Sequence, residues 1–210
     1  MKPRIRQVLF DFDGVLARYR HEVRIAYLAA HARCGHEHVR ATLFASGLES
    51  EYDGGAIDTA AYLGRLGDGL GAAIDEEAWI ASRLAGSTAD TGVLERIAAL
   101  HPEVPLAVLS NNGALMAQAI PRVVAPLAAR FGDRVLCSGR LRMRKPDPAT
   151  FAHALDLLGW EAGSTLFVDD LFTNVQGARQ AGLHAETVTG ARSLGKALKR
   201  YAFGPPPAGW

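Results

Sequence analysis

Five short runs, Gln7 to Phe10, Leu106 to Leu109, Arg134 to Cys137, Thr165 to Val168 and His184 to Val188, are rich in β-forming residues, and several are apolar without a break. A strand whose successive side chains are all apolar has no face for water, so it belongs in a sheet covered on both sides. Parallel neighbours need long crossovers, and helical patterns fall between the runs: Thr91 to Leu100, Ala114 to Ala129, Pro148 to Leu158 and Thr173 to Ala181. Gly182 stops the last of these, and Asp147-Pro148 reads as an N-cap followed by proline at the first helical position. The expected class is therefore α/β with a parallel sheet.

One interval breaks the alternation. Arg18 to Thr88 shows helical patterns and no convincing strand, and it is too long for a crossover. Tyr27, Leu28, Leu43, Phe44, Tyr62, Leu63, Leu66, Trp79, Ile80 and Leu84 give it the apolar bulk of a small bundle. The expected organisation is a core made of residues 1–17 and 89–210, with a helical cap, residues 18–88, inserted after the first strand. Gly67, Gly69 and Gly71 are expected to mark a loop inside the insert, and Gly86 to Asp90 its return linker. The closing stretch Gly204-Pro205-Pro206-Pro207-Ala208-Gly209-Trp210 reads as an extended tail.

Composition narrows the partners. The 210 residues carry 23 Lys and Arg against 22 Asp and Glu, a net charge of +1, so nothing argues for nucleic acid or a polyanionic surface, and small solutes are the better expectation. Two cysteines, Cys34 and Cys137, neither staple a fold nor form a CxxC knuckle, which suits a reducing, cytoplasmic location. The basic start runs directly into a short strand without a longer apolar signal region, and no stretch approaches membrane length. Oligomeric state is left open.

The first strand ends in Asp11-Phe12-Asp13-Gly14-Val15-Leu16, and on an extended chain residues two apart point the same way. In an open parallel sheet the polar exits converge beyond the carboxyl ends of the strands. Three other segments supply matching chemistry: Ser110-Asn111-Asn112, Lys145 ahead of a helix, and Asp169-Asp170. Phosphoryl transfer needs these parts. A phosphomonoester dianion repels a carboxylate nucleophile, so a divalent cation held by Asp11, Asp13 and Asp170 would offset the charge. The Ser110 hydroxyl, nearby backbone N–H groups and the Lys145 ammonium suit the equatorial oxygens. The nucleophile must stay ionised while a second carboxyl serves as acid and then base, and Asp13 fits that second task. Singly, each residue has a plainer reading, as a solvated turn, a helix cap or a surface lysine. Their convergence at four exits is what argues for a site.

The four segments resemble a known family. Asp11-Phe12-Asp13-Gly14-Val15-Leu16, Leu109-Ser110-Asn111, Arg144-Lys145-Pro146-Asp147 and Val168-Asp169-Asp170 are similar, in order, to the four motifs of haloacid dehalogenase-like hydrolases. The resemblance implies a Rossmann-like core with a small helical cap. It also implies Asp11 as nucleophile, Asp13 as acid and base, and Ser110, Asn111 and Lys145 as phosphate binders. Mg2+ would be held by Asp11, Asp170 and the backbone carbonyl of Asp13, with Asp169 and Asn174 supporting it. Within the superfamily, Arg142 to Pro148 and the acidic pair look most like the branch of small sugar-phosphate phosphatases.

Rivals remain. A dehalogenase of the same branch works without metal and expels halide, which needs no proton, so Asp13 and the acidic pair Asp169-Asp170 would be idle. In a phosphomutase, Val23 stands where a cap histidine is expected, with His21 a neighbour. A phospho-accepting receiver module would place its acidic pair first and its nucleophile later, and has no use for the long insert. His31, Cys34, His36 and His38 lack the spacing of a structural zinc site and read as solvated loop residues. Arg18, Tyr19, Arg20 and Arg24 could face the non-transferred part of a substrate, or water.

Overall fold

The computed structural model of the protein describes residues 2–203. In chain order its elements begin β1 (Arg4–Ile5), β2 (Gln7–Phe10) and β3 (Ala17–Tyr19). Five helices follow, α1 (His21–Ala32), α2 (His36–Arg40), α3 (Leu48–Asp53), α4 (Thr59–Leu70) and α5 (Glu76–Gly86), with a π-helical turn at Ala41–Ala45. Then come β4 (Ser87–Ala89), α6 (Thr91–Ala98), β5 (Leu106–Ser110), α7 (Met116–Val123), α8 (Ala128–Phe131), β6 (Val135–Cys137) and α9 (Ser138–Leu141). The chain closes with α10 (Pro148–Leu158), β7 (Thr165–Asp169), α11 (Phe172–Gln180), β8 (His184–Thr187), α12 (Ala191–Lys199) and β9 (Ala202–Phe203). The proline-rich stretch 204–210 lies outside the described residues.

The five apolar runs form one parallel sheet in the order β6-β5-β2-β7-β8. Their lack of alternation has a direct cause. Val8, Phe10, Leu106, Val108, Leu166 and Val168 face one layer of the core, while Leu9, Ala107, Leu109 and Phe167 face the other against Phe151, Ala154, Val175 and Ala178. Both faces are covered, so both residue parities are apolar. The first strand in the sheet, β2, lies at its centre, and the chain departs to β5 on one side and returns to β7 on the other. That reversal opens a crevice at the carboxyl ends of β2, β5 and β7.

Several local expectations are corrected. Gly67 and Gly69 lie inside α4, where neither disrupts the helix, and only Gly71, in the left-handed region at φ 67°, ends it. The interval after the first strand is framed by two short strands, β3 and β4, which pair antiparallel, with β4 standing inside the expected linker. The long helix expected over Ala114 to Ala129 is broken into α7, a 3-10 turn at Ala125–Leu127 and α8. Pro121 and Pro126 each remove a helical N–H, and Pro126 disfavours the helical conformation of Ala125 before it. His36 and His38 stand on α2 and not in a loop; His38 Nε2 pairs with the Gly69 carbonyl at 2.7 Å and His31 Nε2 with that of Ala73 at 3.1 Å.

The helices between β3 and β4 bury a polar knot among their aromatics. Arg24, fully buried, forms an ion pair with Glu49 and donates from Nη2 to the Tyr62 hydroxyl at 3.2 Å, which also accepts from Trp79 Nε1 at 3.0 Å. Tyr52 stacks on Tyr62 with centroids 4.1 Å apart. Removing one partner of such a pair strands a charge without solvent. Glu49→Leu is therefore expected to cost about 3 kcal/mol, read from the urea midpoint, with much of it recovered when Arg24→Met is added.

The same helices are fastened to the sheet. The Tyr52 hydroxyl accepts from Leu115 N at 3.0 Å, and Ser138 Oγ donates to the Asp53 carbonyl at 2.5 Å. A Cβ on Gly113 would run into the Tyr52 ring, so glycine at that position allows the contact. The result is a roof over the crevice.

Candidate active site

Asp11 follows β2 directly, and its N–H donates to the Val168 carbonyl at 2.9 Å, so its side chain emerges beside the exit of β7. The turn after it needs Gly14, at φ 88°, for two reasons. A left-handed backbone suits glycine, and the Asp170 carboxylate occupies the place of a Cβ. Similarly, Gly177 on α11 lets the Pro146 carbonyl approach where a Cβ would stand, which brings the Lys145 segment against the helix that follows β7. A one-residue absence of side chain at each place draws separate loops together.

Lys145 is the centre of the charge arrangement. Its Nζ donates to Asp11 Oδ1 at 2.6 Å and to Asp169 Oδ2 at 2.7 Å, with the ammonium almost wholly buried. Asn111 aims it: Lys145 N donates to Asn111 Oδ1 at 3.0 Å and Asn111 Nδ2 donates to the Lys145 carbonyl at 2.8 Å. Both ends of the Asn111 amide are thus engaged with the Lys145 backbone, which makes Asn111 a holder of the lysine, while one N–H of its amide is left over on a residue that also borders the crevice.

Asp169, with no exposed surface, is saturated. It accepts from Lys145, from Leu171 N at 2.8 Å and from Asn174 Nδ2 at 3.1 and 3.0 Å on its two oxygens. Ligand oxygens of Asp11, Asp169 and Asp170 lie within 4.8 Å of one another. Of these, Asp169 has spent its lone pairs on donors, whereas Asp170 has no cationic side chain within salt-bridge distance among the described residues, and Asp11 Oδ2 accepts from no side chain among them.

The electrostatics follow from burial. Desolvation pushes the Asp11 carboxyl up to about 7, against the pull of Lys145 and with Asp169 adding to the rise. Asp170 is raised as well, first by burial and then by its neighbour Asp169. Burial pulls Lys145 down, but Asp11 and Asp169 outweigh it and hold the ammonium above its ordinary value. One cation shared by three clustered carboxylates leaves a deficit of positive charge.

Asp13 stands apart from that cluster. Asn112 Nδ2 donates to Asp13 Oδ2 at 3.0 Å and to Ser110 Oγ at 2.7 Å, while Arg83 Nη2 reaches the same Asp13 oxygen at 3.2 Å. Asp13, Asn112 and Arg83 border a cavity of about 380 Å³ between the helical roof and the strand ends, with Tyr19, Asp53 and Arg144 among its other walls. Tyr19 and Arg24 therefore do face this space, whereas Arg18 and Arg20 do not line it.

The structure brings Asp11, Asp13, Ser110, Asn111, Lys145, Asp169, Asp170 and Asn174 to one end of the sheet. Sequence reasoning passed over two groups. Asn112 was visible beside Ser110 and Asn111 but had no chemical signature of its own; Arg83, on α5, had no motif around it.

The sequence model of the haloacid dehalogenase-like hydrolases matches residues 5–182. Over 108 residues, 51% of this chain and 43% of the relative, the protein is 32% identical to the N-acylneuraminate-9-phosphatase of Rattus norvegicus. It is 31% identical over 120 residues, 54% of this chain and 48% of the relative, to the phosphoglycolate phosphatase of Pectobacterium atrosepticum. The matched segments span less than half the length of these relatives. In fold, the chain is similar to a HAD family enzyme of Bacteroides thetaiotaomicron in complex with magnesium and inorganic phosphate, with a TM-score of 0.71 at 20% identity over 87% of this chain and 93% of that one. A 2-haloacid dehalogenase of Pseudomonas syringae pv. tomato gives 0.63 at 23% identity over 94% and 100%.

Proposed function

Because the chain belongs to the haloacid dehalogenase-like hydrolase family, we propose that it is a magnesium-dependent phosphatase of a small phosphomonoester, acting through a phosphoaspartate on Asp11. The observation that carries this reading is the Asp11 carboxylate at the strand ends, which has Oδ1 held by Lys145 and Oδ2 with no side-chain donor among the described residues. A nucleophile needs one oxygen fixed and one free.

The residues suit a divalent cation. Asp11 and Asp170 are clustered, raised by burial and short of positive charge, and glycine at position 14 keeps the space against Asp170 clear. Asp11 through Oδ1, Asp170 and the Asp13 backbone carbonyl would hold it, which leaves Asp11 Oδ2 for phosphorus. When bound, Mg2+ offsets the repulsion between the carboxylates and the phosphate oxygens. Asp169, already saturated, orients Lys145 with the help of Asn174 and takes no part in ligation.

Asp11 Oδ2 attacks phosphorus, the bond from phosphorus to the ester oxygen breaks, and Asp13 gives its proton to the departing alkoxide. Ser110 and the Lys145 ammonium receive charge on the transferring oxygens. Asp13 then removes a proton from water as it attacks the phosphoaspartate, releasing phosphate and restoring both carboxyls. The two relatives named as phosphatases of small phosphate esters support this substrate class, sugar phosphates among the candidates, and the unpaired thiols Cys34 and Cys137 suit a cytoplasmic location. Among the described residues no helix is long and apolar enough to cross a membrane.

The similarity to a 2-haloacid dehalogenase concerns the fold, and a halide-expelling enzyme would leave the held Asp13 carboxylate without a task. Phosphate release from a panel of sugar phosphates, nucleotides and phosphoglycolate tests the reading. Halide release from 2-haloacids with no phosphate release from any ester would reverse it.

Asp13 should matter in proportion to the basicity of the leaving group. Asp13→Asn is expected to slow alkyl phosphate turnover by about 10²-fold or more, while the phosphorylation burst with para-nitrophenyl phosphate falls far less. Equal losses in stopped-flow bursts for both leaving groups would remove Asp13 from the acid's task.

A further inference from the structure

We infer that Arg83 is a positioning residue for Asp13, so that the helical insert, and not the core alone, aims the general acid; this rests on the phosphatase reading above. Arg83 is 3% exposed, and its guanidinium lies 4.0 Å over the Tyr19 ring centroid. From there Nη2 donates to Asp13 Oδ2 at 3.2 Å and to Asn112 Oδ1 at 3.1 Å. The three side chains close a ring, because Asn112 Nδ2 donates to that same Asp13 oxygen at 3.0 Å.

The geometry divides the two oxygens of the carboxylate. Oδ2 receives both donors, which fixes the plane of the group about its one remaining torsion. Oδ1 is buried and has no partner among the described residues. A buried acceptor left unpaired is costly, and sites that keep one commonly satisfy it with a reacting group. A leaving-group oxygen or an attacking water meets that need at Oδ1. Asn112 holds Oδ2 from a core loop; Arg83 comes from α5, braced on Tyr19, and is the donor that the insert supplies. The acid thus has both of its donors only while the insert sits against the strand ends as it does here.

A structural ion pair would look similar in coordinates but not in kinetics. The test compares wild type, Arg83→Met, Arg83→Lys, Asp13→Asn and the double variant Asp13→Asn with Arg83→Met, using an alkyl phosphate and para-nitrophenyl phosphate. If Arg83 acts through Asp13, Arg83→Met lowers kcat for the alkyl ester by about 30-fold with KM within about 2-fold, and the nitrophenolate burst by less than about 3-fold. In the Asp13→Asn background the same substitution changes alkyl turnover by less than about 2-fold, since the acid is already lost. Arg83→Lys, which keeps a donor and a charge, recovers part of kcat and supplies the same comparison if Arg83→Met loses its near-ultraviolet circular dichroism. Equal factors in both backgrounds, equal losses for both esters, or an effect confined to KM would overturn the assignment. A wild-type protein that releases phosphate from neither ester would count against the phosphatase reading, and the assignment would fall with it; turnover by wild type with additive losses counts against Arg83 alone.

Discussion

Asp11→Asn is expected to lower phosphatase turnover by at least about 10⁴-fold while leaving the protein folded. The size of the loss comes from chemistry: an amide oxygen does not displace an alkoxide from phosphorus. Preservation of the fold comes from the surroundings. Asn keeps an acceptor oxygen for Lys145 Nζ, the ammonium retains Asp169 at 2.7 Å, and the substitution removes one of the carboxylates that burial and crowding disfavour. Steady-state and single-turnover rates, with the melting curve as control, check both halves. A folded variant with a rate near wild type would place the nucleophile elsewhere.

Removal of metal should have an effect of comparable size. Exhaustive chelation is expected to lower turnover by about 10³-fold or more, with recovery on adding Mg2+. Ca2+ should restore little, because it takes about 6–8 oxygens at roughly 2.3–2.6 Å where Mg2+ takes a tight octahedron at roughly 2.0–2.1 Å. The pH dependence has a definite sign. A ligand must be ionised to bind a cation, and burial pushes Asp11 up to about 7, so protons compete for it below that pH. Calorimetric Mg2+ affinity should therefore fall as pH drops through 7, and Asp170→Asn should weaken it at every pH. Full activity after chelation, with no metal in the protein, would revive the metal-free dehalogenase alternative.

Much of this site could be read before any coordinates because its residues sit where the sheet ends. The β2 run is followed at once by Asp11, the β5 run by Ser110 within its last position, and the β7 run by Asp169 and Asp170; a parallel sheet sends all these exits to one edge. What sequence could not convey was pairing across distance. Arg83 meets Asp13 at a separation of 70 residues, and neither the apolar periodicity of α5 nor any neighbour in the chain announces it. Asn111 follows Ser110 in the chain, but its clasp on the backbone of Lys145, 34 residues away, has no signal in the sequence. The strands β3 and β4 escaped notice for a different reason. Three residues each are too few to show a period, and they pair only because the insert returns to its starting point. Gly67 and Gly69 misled by composition: a helix tolerates glycine when neighbouring side chains such as Leu66 and Leu70 are buried strongly enough to outweigh the conformational cost.

A covalent intermediate on Asp11 should persist in Asp13→Asn, which lacks the base for hydrolysis. Mixed with para-nitrophenyl phosphate and Mg2+, this variant should release an initial burst of nitrophenolate equal to the enzyme present, followed by slow turnover. Acid quenching during the burst, peptide digestion and mass spectrometry then locate the phosphoryl group. It is expected on the peptide containing Asp11, and is expected to disappear when Asp11→Asn is combined with Asp13→Asn. A phosphoryl group on any other residue, or a burst with no phosphorylated peptide, would contradict a covalent intermediate on Asp11.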